Sequence, residues 1–286
     1  MNNRIAAIAA VTWTELVRLK VFYFLIIFAL LVIGNSFFLA RFSFEEEFQM
    51  LKDIALGAMS IFSALLAILA AATLLPKDLE DRTIYTILAK PVSRSEYLLG
   101  KLAGVFLLLA LAVLLMGAVF GVVLVLRTES VLQATKLELA NLPAPELQAA
   151  LAKVRASGYD PGLLAGGLVI LVKAWLLAAM TVFISTFATS TIFTTITAFA
   201  VYFIGHLQST ARDYWLAGGD TGPAAKAVLS LVSLIFPDLQ AFNLIDGIVT
   251  GTAVPLALLL KTLALGGGYI AVYTALGAAV FQSREL

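Results

Sequence analysis

Cysteine is absent from the chain, which excludes disulfides, iron–sulfur clusters and thiolate zinc sites and leaves the redox compartment open. Histidine occurs once, so a histidine-based metal centre or a Ser-His-Asp triad would rest on His206 alone, and no metal site is expected. Charge is scarce too: 13% of residues are charged, where soluble domains carry about 25%. A net charge of +1 lacks the basic excess that a nucleic-acid surface gathers on one face, so no nucleic-acid partner is expected. A Walker A loop is also missing. The nearest match, Gly100–Lys101, has Ser95 where the first glycine should stand and Leu102 in place of the Ser or Thr. No repeat of 20 to 50 residues and no low-complexity tract occurs.

Apolar sequence fills the space. Of the 286 residues 61% are hydrophobic, and the mean hydropathy is +0.99. Residues 21–40 carry no charge, and at about 1.5 Å per residue they match a hydrocarbon layer of roughly 30 Å. No small-residue cleavage site follows this run, so it reads as a retained anchor. Uncharged runs at 54–76 and 102–126 make two further spans. From Pro161 to Ala211 the one formal charge is Lys173; the stretch would measure about 75 Å as one helix, too long for one crossing. It divides into spans at 162–185 and 191–208, with the turn around Ser185 to Thr191. A sixth span runs over 255–281, opening at a proline whose missing donor costs little there. Between the last two, residues 227–251 are apolar but cut by Pro237–Asp238 and Asp246–Gly247. The pieces are too short to cross and suit re-entrant or interfacial helices; a seventh crossing would bury Asp238 in lipid.

The expected fold is therefore all-α: a polytopic membrane protein with six transmembrane helices in one domain over 1–286. An interfacial helix fills 1–20, where Ile5, Ile8 and Leu16 lie along one side and Trp13 sits at interfacial depth. With the N-terminus inside, Arg4, Arg18, Lys20, Lys77, Arg82, Lys90, Arg94, Lys101 and Arg284 lie on the inner side. Arg41, Lys52, Arg127, Lys136, Lys153, Arg155, Arg212 and Lys226 lie outside, mostly in the long, acid-balanced segments 127–160 and 209–254. The cluster from Lys77 to Lys101 decides for both termini on the inner, cytoplasmic side of a cell membrane.

That cluster has an order of its own. After Pro76 ends the second span, Asp78 is placed to cap a short amphipathic helix, with Glu80 and Asp81 in its first turn and Lys90 at its far end. Pro91 stops it. Ser93 and Glu96 then form an S-x-x-E capping box, with Val92 and Tyr97 placed as a hydrophobic staple, and a new helix runs through Lys101 into the third span. Helix, corner, helix makes a stiff ledge. Such a ledge serves either as a capped connector on the membrane surface or as a surface on which a soluble partner can push.

At these residues the chain resembles the type-2 ABC exporter permeases, including the branch linked to maturation of multicopper enzymes such as nitrous-oxide reductase. Those proteins commonly carry an acidic residue, then Arg or Gly followed by Thr, then L-x-x-P-[VI]-S-R-x-x-[FYL]-x-x-G-K in the loop after the second span. Here these are Glu80 or Asp81, Arg82–Thr83, Ala89–Lys90–Pro91–Val92–Ser93–Arg94 and Gly100–Lys101. The span pattern and the stretch Pro237 to Leu244 are similar as well, whereas the insert at 127–160 is longer than in the simplest members. The resemblance implies pairing with a second permease subunit in the bilayer. It also implies docking of a separate ABC ATPase subunit, which holds the ATP and Mg, on the loop that contains Glu80, Asp81, Arg82, Lys90, Pro91, Ser93, Arg94 and Lys101.

Fewer residues suggest chemistry. Lys173 lies too deep in the fourth span to snorkel easily, and marks either a transport path or a pairing with carbonyls or another subunit. Thr194 belongs to a Ser/Thr-rich run, Thr181 to Thr197, whose hydroxyls either back-bond and pack helices or line a polar path. Gly100–Gly104, Gly117–Gly121 and Gly162–Gly166 have G-x-x-x-G spacing for helix packing or dimer contacts. Lys261 can reach the outer interface as an anchor. Glu45 to Glu47 either bind a cation or form a solvated acidic loop, and the solvated loop is the expected reading. The expected function is a permease subunit, not an enzyme, of an ATP-driven exporter. A membrane-embedded hydrolase would need clustered acids or histidines at depth, and a scaffold for an extracytoplasmic complex is the other alternative.

Overall fold

A computed structural model describes residues 2–36, 44–83, 92–141, 143–158, 160–217, 236–250 and 254–284. Among these residues the regular structure is helical, as hydrocarbon demands of a chain that must satisfy its backbone groups internally. The elements are α1 (Asn2–Val17), α2 (Lys20–Asn35), α3 (Phe44–Glu80), α4 (Arg94–Glu138), α5 (Ala144–Gly158), α6 (Gly162–Phe187), α7 (Thr191–Ala217), a 3-10 turn (Leu239–Phe242), α8 (Ile245–Val249) and α9 (Leu256–Ser283). Five of them, α3, α4, α6, α7 and α9, are long and apolar enough to cross a membrane. The axis bends by 65° between α1 and α2, and the pair makes a sixth candidate if it counts as one span. The chain is thus an all-α polytopic membrane protein.

Several helices overrun the apolar run that seeded them. Pro76 does not close the second span: α3 continues one turn further, to Glu80. Proline removes one backbone donor, but the extra turn carries Lys77 and Asp78 to charged partners described below. α4 runs unbroken for 45 residues, and α5 folds back along its distal part. Thr128, Val131, Leu132 and Thr135 of α4 are buried there, and Gly158 admits the Thr128 side chain at a contact too close for a Cβ. The insert at 127–160 is therefore, in its described part, a helical hairpin.

Glycines set the closest approaches. A Cβ on Gly100 would sit 2.7 Å from Ile8 Cβ, and one on Gly104 2.7 Å from Thr12 Cβ. The first G-x-x-x-G pair thus seats α1 of the same chain. Gly162 and Gly166 face Ile248 of α8, and Gly205 faces Leu239. Leu239, Phe242 and Ile248 are buried, so the described part of 227–251 is a wedge of a short turn and a five-residue helix among α6, α7 and α9. Neither piece is long enough to cross; residues 227–235 and 251 lie outside the described residues. Asp238 accepts from Gln240 N at 3.0 Å and caps the turn.

Polar pairs gather at the two ends of the bundle. At one end Lys52 Nζ meets Asp160 Oδ2 at 3.3 Å, and Arg127 bonds Glu47. Glu47 is buried on α3, which corrects the reading of Glu45 to Glu47 as a solvated loop: the triplet begins a helix, and one face of that helix turns inward to a cation. Glu46 stays exposed. The other end holds the site described next.

Candidate functional site

The second end joins the last turn of α3, the first two turns of α4, the last turn of α1 and the ends of α6 and α9. α3 stops because Arg82 adopts the left-handed region, φ 55, with its N–H bonded to Leu79 O at 3.2 Å. α4 starts at Ser93, in extended conformation, whose hydroxyl accepts from Glu96 N at 3.2 Å while Glu96 Oε2 accepts from Ser93 N at 2.9 Å. The capping box read from S-x-x-E is present in both halves.

Between these two ends lies a buried ion pair. Asp78 and Lys101 are 8% and 6% exposed, and Lys101 Nζ stands 2.7 Å from Asp78 Oδ2. The Tyr97 hydroxyl donates to the same oxygen, and Thr83 Oγ1 donates to Asp78 Oδ1 at 3.1 Å. Glu15 of α1 closes the cluster, 2.9 Å from Lys77 Nζ and 3.8 Å from Lys101 Nζ. Asp78 is accordingly not the cap of a new helix, as the sequence suggested. It belongs to the last turn of α3, where a carboxylate gains more from a cation and two hydroxyls than from the N-terminus of a short surface helix.

Arg94 ties this corner to the other end of the chain. Its Nη1 donates to the carbonyls of Phe281, Gln282 and Arg284 at 3.3, 3.0 and 2.5 Å. Arg284 in turn donates to Thr186 O at 2.7 Å and Ala188 O at 3.2 Å. Both arginines thus satisfy carbonyls that a helix C-terminus leaves without partners, at α9 and at α6. Phe281 is fully buried and stacks on Tyr97 with ring centroids 6.0 Å apart. Of the residues expected to take a partner's push, Glu80, Asp81 and Arg82 are exposed, Ser93 is the helix cap, and Arg94 and Lys101 are internal ties. Lys90 and Pro91, with the helix expected before them, lie outside the described residues.

Lys173 and Thr194 do not meet. Lys173, 7% exposed in mid-α6, has its Nζ 3.1 Å from Nε2 of His206 on α7. His206 Nδ1 lies 3.2 Å from Tyr202 O; a carbonyl only accepts, which assigns the proton to Nδ1 and leaves Nε2 to accept from the lysine. The sequence supplied no sign of this pairing, because the two residues share neither helix nor periodic spacing. Thr194 is fully buried and donates to Ser190 O at 3.0 Å. Thr181, Ser185, Thr186 and Thr195 likewise bond back within their own helices, which is the packing use of the Ser/Thr-rich run. The elbow falls where expected: Ala188 is extended, and Ser190 Oγ accepts from Phe193 N at 3.2 Å to begin α7.

The described residues thus form a bundle of membrane-length helices joined at one end by charged and capped corners. The model of the ABC-2 family transporter proteins matches residues 6–286, and the chain belongs to that family. It is an ABC transporter permease and a multi-pass membrane protein, of a family whose members normally pair with an ABC ATPase. The match is to the family as a whole and does not separate its branches. No curated protein matches the chain.

Proposed function

We propose that the chain forms, with a second permease subunit, the translocation path of an exporter in the inner membrane, driven by a separate ATPase subunit that binds ATP and Mg. The push enters through residues 78–101, which places α1, the corner and the end of α9 on the cytoplasmic side. The observation that carries this reading is the pair of ties at that corner. The buried Asp78–Lys101 bridge fixes the end of α3 to the start of α4, and Arg94 fixes the same start to the end of α9. Arg284 extends the linkage to the α6–α7 elbow. A displacement of the loop would therefore move four helices as a body, the form that packed, two-state transitions take. Exposed Glu80, Asp81 and Arg82 are the contact surface in this scheme, Ser93 sets the helix direction, and Arg94 and Lys101 transmit. Lys173 with His206 is the polar element of the path; Thr194 belongs to the wall.

The test uses the permease with its ATPase in proteoliposomes. Alanine at Glu80, Asp81 or Arg94 should lower transport at least about tenfold while ATP turnover and membrane insertion persist. Wild-type transport in all three would end the proposal. Orientation is read separately: the chain has no cysteine, so Asp81→Cys carries the sole thiol, and a membrane-impermeant reagent should label it in inverted vesicles but not in intact cells.

A further inference from the structure

Where the chain bends by 65° between α1 and α2, a pocket of about 660 Å³ opens against the end of α3. Val11 and Leu19 are its apolar wall, and Thr14, Glu15, Arg18 and Lys77 its polar one. The sequence fixes its depth in the membrane. Arg18 and Lys20 are the last charges before the uncharged run 21–40, and Lys77 is the first after the uncharged run 54–76. Two helices therefore leave the hydrocarbon at this pocket, at the level of the lipid headgroups.

The polar groups here are not all spoken for. Glu15 has both oxygens engaged, Oε1 at 2.9 Å from Lys77 Nζ and Oε2 at 3.8 Å from Lys101 Nζ. Lys101 is held in turn by Asp78 at 2.7 Å, and neither of these lines the pocket. Asp81, whose charge also reaches Lys77, lies outside the lining as well. Arg18 stands three residues after Glu15, a spacing at which the two could pair, yet only its backbone N–H turns back, to Glu15 O at 3.2 Å. Its side chain is exposed, and among the described residues the guanidinium has neither an ion pair nor a hydrogen bond. Lys77 gives one of its three hydrogens to Glu15 and keeps the others for a further acceptor. Beside these donors Val11 is 69% exposed, an apolar surface at a depth where glycerol and the first acyl carbons lie.

A free planar fork of donors, a second cation and an apolar edge, all at headgroup depth, match the phosphate end of a phospholipid. We infer that this pocket binds the phosphate of one anionic phospholipid of the leaflet at the corner end, with Arg18 as the principal donor, Lys77 as the second, and the glycerol region against Val11 and Leu19. The bound lipid braces the bend between α1 and α2 against the end of α3. The site lies on the outside of the bundle and does not depend on how transport is driven.

The full chain in mild detergent can be examined by native mass spectrometry with dioleoyl phosphatidylglycerol, with dioleoyl phosphatidylcholine, and with millimolar inorganic phosphate as competitor. Wild-type protein should retain phosphatidylglycerol in preference to phosphatidylcholine, and inorganic phosphate should not displace it. Arg18→Gln, at an exposed position, should keep helicity and detergent resistance and lower phosphatidylglycerol retention at least about tenfold, because a bidentate charged contact is lost. Lys20→Gln removes the same charge two residues on, outside the lining, and should retain the lipid as wild type does. Unaltered retention in Arg18→Gln would overturn the site. Equal losses in the two variants would reduce it to diffuse attraction of a basic surface for anionic lipid, and the inference would be wrong. Displacement of the lipid by inorganic phosphate would also overturn it, by making the ligand a soluble anion.

Discussion

Replacing Lys101 by Met separates the corner between α3 and α4 into its energetic parts. At 2.7 Å the Asp78–Lys101 attraction is gross, about 6 kcal/mol at an effective dielectric of 20, and desolvation of two buried ions offsets most of it. The variant does not simply lose that difference. It strands Asp78, 8% exposed, with the Tyr97 and Thr83 hydroxyls but no cation, and Glu15 keeps only Lys77. The penalty should be about 3–5 kcal/mol, the range seen when one partner of a buried pair is removed. Asp78→Asn with Lys101→Met together removes both charges and keeps an acceptor for Tyr97, so most of the loss should return. The assay is a double-mutant cycle by SDS titration in mixed micelles, followed by tryptophan fluorescence, and the expected coupling is about 3 kcal/mol. If the two single losses simply add in the double variant, the charges do not act on each other and the corner is not held by this bridge.

Gly104→Ala should force α1 off α4, with a cost of about 1–3 kcal/mol, because its Cβ would lie 2.7 Å from Thr12 Cβ. Gly57→Ala, where nothing lies within 4 Å, should be neutral or stabilising by up to about 1 kcal/mol from helix propensity; thermal denaturation of the two variants gives the contrast. Arg284→Ala leaves the carbonyls of Thr186 and Ala188 without their donors, and should cost about 1–3 kcal/mol and speed amide exchange in the first turn of α7. Lys173→Met leaves His206 Nε2 without its donor, so a stability loss of about 1–3 kcal/mol is expected; a transport loss in protein that remains folded assigns Lys173 to the path, whereas unfolding in step with the transport loss makes it a structural tie.

What could be read from residue order alone was whatever is settled within a turn or two of chain. The Ser93–Glu96 box, the elbow at 188–190 and the start of α9 after Pro255 are local bargains, and each stands where the spacing put it. Helix lengths were less legible, since hydropathy marks where lipid is and not where hydrogen bonding stops. That is why α4 runs past Leu126 to Glu138 and α3 passes through Pro76. The partners of the charged residues were least legible. Glu47 with Arg127, Asp78 with Lys101 and Lys173 with His206 each join different helices, and one sequence carries no trace of which helices become neighbours. The Gly100–Gly104 pair shows the same gap: its spacing announces a close packing partner without naming α1.

α4 also sets a scale for the whole molecule. Its 45 residues span about 67 Å, more than twice a hydrocarbon layer of about 30 Å, with no proline inside to absorb a bend. A tilt of about 10° at Arg94 would sweep the Glu138 tip through about 12 Å, carrying the α5 hairpin with it. A small rotation at one end of this helix would thereby become, by geometry alone, an excursion at its other end as wide as a helix.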